Sequence, residues 1–205
     1  LNKKNPNEEF NKDPFNHYGK SKYEAEKVII DWYNKNPIEK SVNIIRPTVI
    51  FGKNNRGNVY NLFRQLVSGR FIMIGNGLNK KSMAYIENIT SFIYYIAKKS
   101  EIGCNIYNYA DKPDLNMNEL IGVIKKHLNL TVFNIKIPYS AGLFISYLFD
   151  IMSFLTKKKF SISSVRIKKF CATTQFDSAK MYSEFKPPYT LEEGLSKTLK
   201  EEFIK

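Results

Sequence analysis

Tyr18 and Lys22, in the segment NHYGKSKYEAE (16–26), are the residues whose types and spacing most directly suggest chemistry. Four positions is just over one helical turn, so on a helix the two share a face. An ammonium close to a phenol stabilises the phenolate and draws its pKa down from about 10 toward neutrality, so the tyrosine can take up or return a proton. The same spacing often arises by chance, as an aromatic and a charge on one side of a helix. The surroundings favour the chemical reading. Tyr18, Lys22, Ala25, Ile29 and Trp32 recur at steps of four, three, four and three behind Asp13-Pro14 as a start signal. This single stripe predicts a helix over 15–34 with that face toward a core or cleft. A lysine on such a face needs a partner, and the tyrosine supplies one.

The elements that must position the pair follow in α/β order. Val42–Ile45 reads as a strand stopped by Arg46-Pro47, with a second apolar piece, Val49–Phe51, before the polar loop GKNNRGN (52–58). Helices are expected over 58–67, 86–99 and 116–128, and short strands at FIMI (71–74) and YNYA (107–110), with GNG (75–77) as a turn. Asn116 with Glu119, and Thr190 with Glu193, form capping-box spacings, the second following Pro187-Pro188 and opening a helix to the C-terminus. Strands alternating with helices predict an α/β protein without internal repeats.

Composition narrows the partners. The 205 residues suffice for one large domain or two small ones, and 32 Lys and Arg against 19 Asp and Glu, a net charge of +13, predict attraction to polyanions. The lysines are dispersed and the aromatics sit at core spacings, so a noncatalytic basic module for nucleic acid is a distant rival and no nucleic acid is expected. Cys104 and Cys171 lie far apart, with only His17 and His127 as further soft ligands, so neither a structural metal nor a disulfide framework is expected. The polar start, LNKKNPNEEF, has no apolar signal-like stretch. A cytoplasmic setting is expected, and a chain that is the later part of a longer protein.

One segment admits two readings. AGLFISYLFDIMSFL (141–155) is almost wholly apolar and is followed by Lys157, Lys158 and Lys159. It is shorter than the roughly 20 residues a membrane span needs, and Asp150 would be costly at a bilayer centre. Length favours a helix packed inside a domain. The alternative is an interfacial helix with its aromatics in the lipid boundary and its lysines at anionic headgroups.

Several motifs taken together resemble a known family. Tyr18-Gly19-Lys20-Ser21-Lys22 with Glu24-Ala25-Glu26 resembles the Tyr-x-x-x-Lys signature of the extended short-chain dehydrogenase/reductases, which include nucleotide-sugar epimerases and dehydratases. RPTVIFG (46–52), GNGLNKKSMAYIENI (75–89), YNYADKP (107–113) and FKPPYTLEEGL (185–195) fall in that family's order. NHYGKSK, DKPDLNMNEL and SSVRIKKFCATTQFD, with the apolar segment, are similar to a branch that epimerises N-acetylglucosamine at C4 on a diphospho-polyprenol carrier in O-antigen assembly.

This resemblance implies the C-terminal part of a Rossmann-type fold with its smaller α/β substrate domain. Residues 1–54 and 104–129 would be the remainder of the dinucleotide-binding domain, and 55–103 and 130–205 the substrate domain. It assigns Tyr18 as acid/base, Lys22 as its tuner and ribose contact, and Pro47 and Thr48 as the loop bordering the nicotinamide of NAD. The substrate, a sugar diphosphate, would be held by Arg56, Asn58 and Lys81. Lys81 stands where the family commonly has arginine, and Asn88 where it commonly has aspartate. The alternative reading of Asn58 is a simple N-cap. The implied partners are a polyprenyl-linked substrate, peripheral contact with the inner face of the cell membrane through 141–159, and a second copy in the intact enzyme. A soluble UDP-sugar 4-epimerase, or a reductase or dehydratase of 4-keto sugars, shares these motifs. The Gly-rich NAD loop and the family's catalytic serine or threonine are not in this chain, so it is not expected to turn over alone.

Overall fold

The computed structural model describes residues 5–10, 14, 16–99, 101–129, 135–158, 160 and 162–204. Asp13 and Lys159 therefore lie outside the described residues. In chain order the elements are α1 (His17–Asn34), β1 (Ser41–Pro47), β2 (Val49–Phe51), α2 (Asn58–Val67), β3 (Ile72–Ile74), β4 (Lys80–Tyr85) and α3 (Ile86–Lys99). They continue with β5 (Gly103–Tyr109), β6 (Asp111–Asn116), α4 (Met117–Leu128), β7 (Ile135–Ile137), α5 (Tyr139–Thr156), α6 (Ser164–Cys171), α7 (Ala179–Glu184) and α8 (Leu191–Phe203).

Among the described residues the strands form three small sheets. β1 pairs in parallel with β5 from Ser41–Gly103 through Pro47–Tyr109. Proline ends that ladder on its own strand, and Thr48 N–H carries it one step further to the Tyr109 carbonyl at 3.0 Å. The chain then crosses to a second sheet of order β2-β4-β6, parallel between β2 and β4 and antiparallel between β4 and β6. β3 and β7 form a parallel pair. The expected α/β class is what the structure shows, although β4, β6, β7, α6 and α7 were not anticipated.

Two apolar clusters hold these layers together. In the larger, Phe63 and Leu66 of α2, Ile121 and Ile124 of α4, and Leu195 and Leu199 of α8 close over Met83 and Tyr85 of β4. In the smaller, Ile89, Phe92 and Ile96 of α3 pack on Tyr107 and Tyr109 of β5 and on Met181 of α7. Both predicted capping boxes form. The Asn116 side chain accepts from Glu119 N–H, the Thr190 hydroxyl accepts from Glu193 N–H, and each glutamate returns a bond to the backbone N–H of its cap.

Two helices depart from expectation. α1 starts at His17 behind an Asn16 cap that accepts from Gly19 N–H at 2.7 Å. Its inward line is Gly19, Tyr23, Glu26, Ile30 and Tyr33, the predicted stripe moved by one position, or about 100° around the helix. The cause is a salt bridge: Glu26 is the buried residue of α1 and takes Arg46 of β1 in two bonds, Nη2 to Oε1 at 2.6 Å and Nε to Oε2 at 3.0 Å. A bidentate ion pair at the strand outweighs the apolar stripe, which faces outward. α5 is not the packed interior helix that its length suggested, since only 11% of it is buried within the protein.

Candidate active site

Tyr18 and Lys22 sit together on the first two turns of α1. Lys22 Nζ lies 5.6 Å from the centroid of the Tyr18 ring, and Tyr18 is 72% exposed. The pair is assembled at helical spacing on an open face, not in a closed cleft. The seat of α1 links it to the end of β1: Arg46, which grips Glu26, also donates to the Glu8 carbonyl at 2.8 Å and immediately precedes Pro47. Pro47 is exposed, and the next residue carries an unusual feature. The Thr48 hydroxyl is buried without a hydrogen-bond partner among the described residues. Leaving such a group unpaired costs about 1–3 kcal/mol, so it marks a place where another polar group belongs. Ligands of α/β folds bind beyond the carboxyl ends of parallel strands, which is where Pro47 and Thr48 lie.

The three residues predicted to hold the substrate are placed differently. Arg56 pairs with Glu202 of α8 and stacks on the Tyr60 ring, 4.3 Å from its centroid. Asn58 is exposed as the first residue of α2 and is not its cap; the cap position is Gly57, whose N–H is taken by the Asn55 side chain at 3.0 Å. Gly57 provides no side-chain cap, so the N-terminus of α2 remains open. Lys81 reaches the end of α6, where Nζ donates to the carbonyls of Lys169 at 3.0 Å and Ala172. A lysine there satisfies carbonyls that the helix leaves unpaired, and burial holds its pKa below the usual lysine value. The structure does not bring Arg56, Asn58 or Lys81 into contact with Tyr18 and Lys22.

A buried polar centre was missed in the sequence. Asp111, at the start of β6, accepts from Tyr85 N–H at 2.6 Å, Asn88 Nδ2 at 3.0 Å and the Tyr109 hydroxyl at 3.3 Å, and burial pushes its pKa up. Asn88 also exchanges two bonds with the backbone of Tyr189, at 2.8 and 3.0 Å. Asn88 thus acts as a brace between α3, β6 and the approach to α8. A carboxylate at position 88 would face Asp111 and the Tyr189 carbonyl without a donor to offer either. The only legible hint was Asn88 standing where the family commonly has aspartate.

A cavity of about 800 Å³ lies elsewhere, between the ends of β3 and β7, the start of α5 and the C-terminal end of α6. Lys136 and Lys168 line it, together with Asn76, Asn79, Ile74, Tyr139 and Cys171, but none of the sequence-predicted site residues does. Among the described residues there is no group of three or more His, Cys, Asp or Glu placed to hold a metal ion.

Known proteins bear on these features. The whole 205-residue chain is 56% identical to an N-acetyl-α-D-glucosaminyl-diphospho-ditrans,octacis-undecaprenol 4-epimerase of Escherichia coli O157:H7. In this the chain resembles the extended short-chain dehydrogenase/reductases. A family model described as male sterility protein matches residues 2–94. A UDP-glucose 4-epimerase of Vibrio cholerae is 27% identical over 93% of the chain. The fold is that of a solved UDP-glucuronic acid 4-epimerase from Bacillus cereus in complex with NAD, at a TM-score of 0.71 and 15% identity over 100% of this chain and 58% of that one. The chain spans 62% and 55% of the length of the two curated relatives.

Proposed function

We propose that this chain is the part of an NAD-dependent sugar 4-epimerase that carries the proton-transfer pair and the substrate domain, acting on N-acetylglucosamine borne by diphospho-undecaprenol to give the N-acetylgalactosamine epimer. The observation that carries the reading is the Tyr18–Lys22 pair on the α1 face, joined through Glu26 and Arg46 to a strand end where the Thr48 hydroxyl has no partner. Those residues suit the nicotinamide end of NAD: Lys22 can donate to the ribose, Thr48 has an unspent hydroxyl, and Pro47 offers an exposed edge. Bound NAD would supply a reversible hydride acceptor for C4 of the sugar. Tyr18, with Lys22 beside its ring, takes the proton of the C4 hydroxyl and returns it after the ring has turned. Oxidation and reduction cancel, leaving inversion at one carbon.

Residues 1–54 and 104–129 fit the remainder of the dinucleotide domain in this reading, and 55–103 and 130–205 the substrate domain. Lys81, Arg56 and the open N-terminus of α2 at Asn58 are its candidate diphosphate contacts. The first two must exchange the Ala172 carbonyl and Glu202 for substrate oxygens. A lipid carrier places the enzyme at the cytoplasmic face of the cell membrane, and a homodimer is inferred for the intact enzyme. The test joins this chain to its matching N-terminal half and replaces Tyr18 by Phe. Epimerisation of lipid-linked N-acetylglucosamine should fall by about 10²–10⁴-fold, the usual worth of a general acid/base. Unchanged turnover would sink the assignment, and turnover of UDP-linked sugar alone would replace the carrier with a nucleotide.

A further inference from the structure

We propose that the cavity where α5 begins takes up the lipid-side phosphate and first isoprene units of a bilayer-embedded substrate, its sugar-side phosphate falling to Lys81, which reaches the Ala172 carbonyl at the cavity wall, and that the outward face of α5 lies in the interfacial layer of an anionic bilayer as the rim of that entrance. This rests on the lipid-linked reading above.

α5 is an inside-out helix. Its buried residues are Gly142 and Ser146, small and polar, whereas Phe154 is 84% exposed and Leu155 72%. The Ser146 hydroxyl donates to the Leu143 carbonyl at 2.7 Å, and the Asp150 carboxylate accepts from the Ser164 N–H that opens α6, at 3.1 Å. Both polar groups are thereby spent inside the protein, and one side of α5 is pinned to the body of the fold. A helix fixed in this way cannot be surrounded by lipid, so its length of 18 residues does not make it a span. It can lie along a surface, with its large side chains entering the acyl boundary.

Charge decides what covers that face. Lys157 and Lys158 follow α5 directly, and Lys168 of α6 lies 5.4 Å from the ring of Tyr147. Two copies meeting face to face would press these lysines together, in chains that each carry +13. An anionic bilayer receives the same lysines favourably. The cavity opens where α5 begins. Lys136 and Lys168 offer point charges for the lipid-side phosphate, while Ile74, Ile137 and Tyr139 form an apolar wall. A prenyl phosphate has that division of character, and Tyr139 carries the wall onto the exposed face of the helix.

The full chain should pellet with vesicles of phosphatidylglycerol and phosphatidylcholine but not of phosphatidylcholine alone. A Leu148→Asp/Phe154→Asp variant, altered only at exposed positions, should bind those vesicles about tenfold or more weakly with an unchanged circular dichroism spectrum. Without vesicles, farnesyl diphosphate should bind more tightly than inorganic pyrophosphate, and Lys136→Ala/Lys168→Ala should weaken it about tenfold. Vesicle binding indifferent to the aspartates, a dimer that those aspartates dissociate, or farnesyl diphosphate binding indifferent to the lysines would each overturn the proposal. If the joined enzyme epimerises lipid-linked sugar under any of those outcomes, the proposed function stands and this site fails. If it accepts only UDP-linked sugar, both fail.

Discussion

Helices α8 and α5 each press a glycine against a neighbouring side chain. A Cβ built on Gly194 would lie 2.7 Å from a ring carbon of Tyr85, and one on Gly142 would lie 2.6 Å from Cγ2 of Ile74. Beyond that shared device they are opposites. α8 buries Leu191, Leu195 and Leu199 alongside its glycine and shows Glu192, Glu193 and Lys200 to water. α5 buries Ser146 alongside its glycine and shows Phe144, Leu148 and Ile151. Close approach of a helix to the fold and burial of its apolar area are therefore separate properties. In α8 the two coincide, and removal of apolar surface from water stabilises the fold at roughly 25 cal/mol per Å². In α5 the helix is held by small residues and one carboxylate, and its apolar area is left for another surface.

The sharpest test of that contrast is a pair of leucine truncations. Leu195→Ala in α8 removes a side chain with no exposure and should cost about 2–5 kcal/mol in urea unfolding. Leu148→Ala in α5 should cost under about 0.5 kcal/mol. Equal losses would mean that the outer face of α5 is packed in solution, and the contrast would collapse. Next come the two glycines. Gly194→Val and Gly142→Val should each destabilise by about 1–3 kcal/mol through overpacking against Tyr85 and Ile74. A tolerant Gly142 would show that α5 is held only by its ends.

The helix caps give a third, smaller difference. The Thr190 backbone N–H, then its hydroxyl, hold the Glu193 carboxyl below the ordinary glutamate value of 4.5. A carboxylate whose folded pKa is depressed adds stability that is present above its unfolded pKa and lost as pH falls through the folded value. The advantage of wild type over Glu193→Gln should thus be seen at pH 7 and fade below pH 4.5, read from urea midpoints across the pH range. α5 begins at Pro138 without a side-chain cap and has no counterpart to this titration. Thr190→Ala, which removes the cap outright, should cost about 1 kcal/mol at pH 7.

What was legible in the sequence follows the same division. The starts of α8 and α4 could be placed to within a residue, because a capping box and an inward stripe both report on the chain itself. α2 and α3 were read at their observed bounds for the second of these reasons. β6, with the sequence DKPDLN, carries no strand signal and owes its conformation to pairing with β4. α1 was found, but its face was read one position off: the Glu26–Arg46 pair joins residues 20 apart, and nothing in a local stripe reveals it. α5 was found but read as interior, since composition counts apolar residues without saying which side they take. Gly142, Ser146, Asp150 and Ser153 at steps of four, four and three held that information and mark the inward side. The spacing of Tyr18 and Lys22 made them legible as neighbours on one helix face, but the stripe that argued for a cleft there points outward. Arg56 and Lys81 were not legible as partners of Glu202 and of the end of α6, because those contacts span 146 and about 90 residues.

The smallest expected effect on stability carries the most information. Leu148→Asp places a charge near the middle of the outer face of the 18-residue α5, and only if that face meets lipid does the charge matter. In water the residue is already 47% exposed, so the variant should unfold within about 0.5 kcal/mol of wild type. Against an anionic bilayer the same aspartate must enter the acyl boundary beside lysines that favour the surface, and binding should weaken. Stability unmoved with vesicle binding reduced would establish α5 as a face built for a partner. A loss of stability comparable to Leu195→Ala would instead return α5 to the core, and the inside-out arrangement of Gly142 and Ser146 would need another cause.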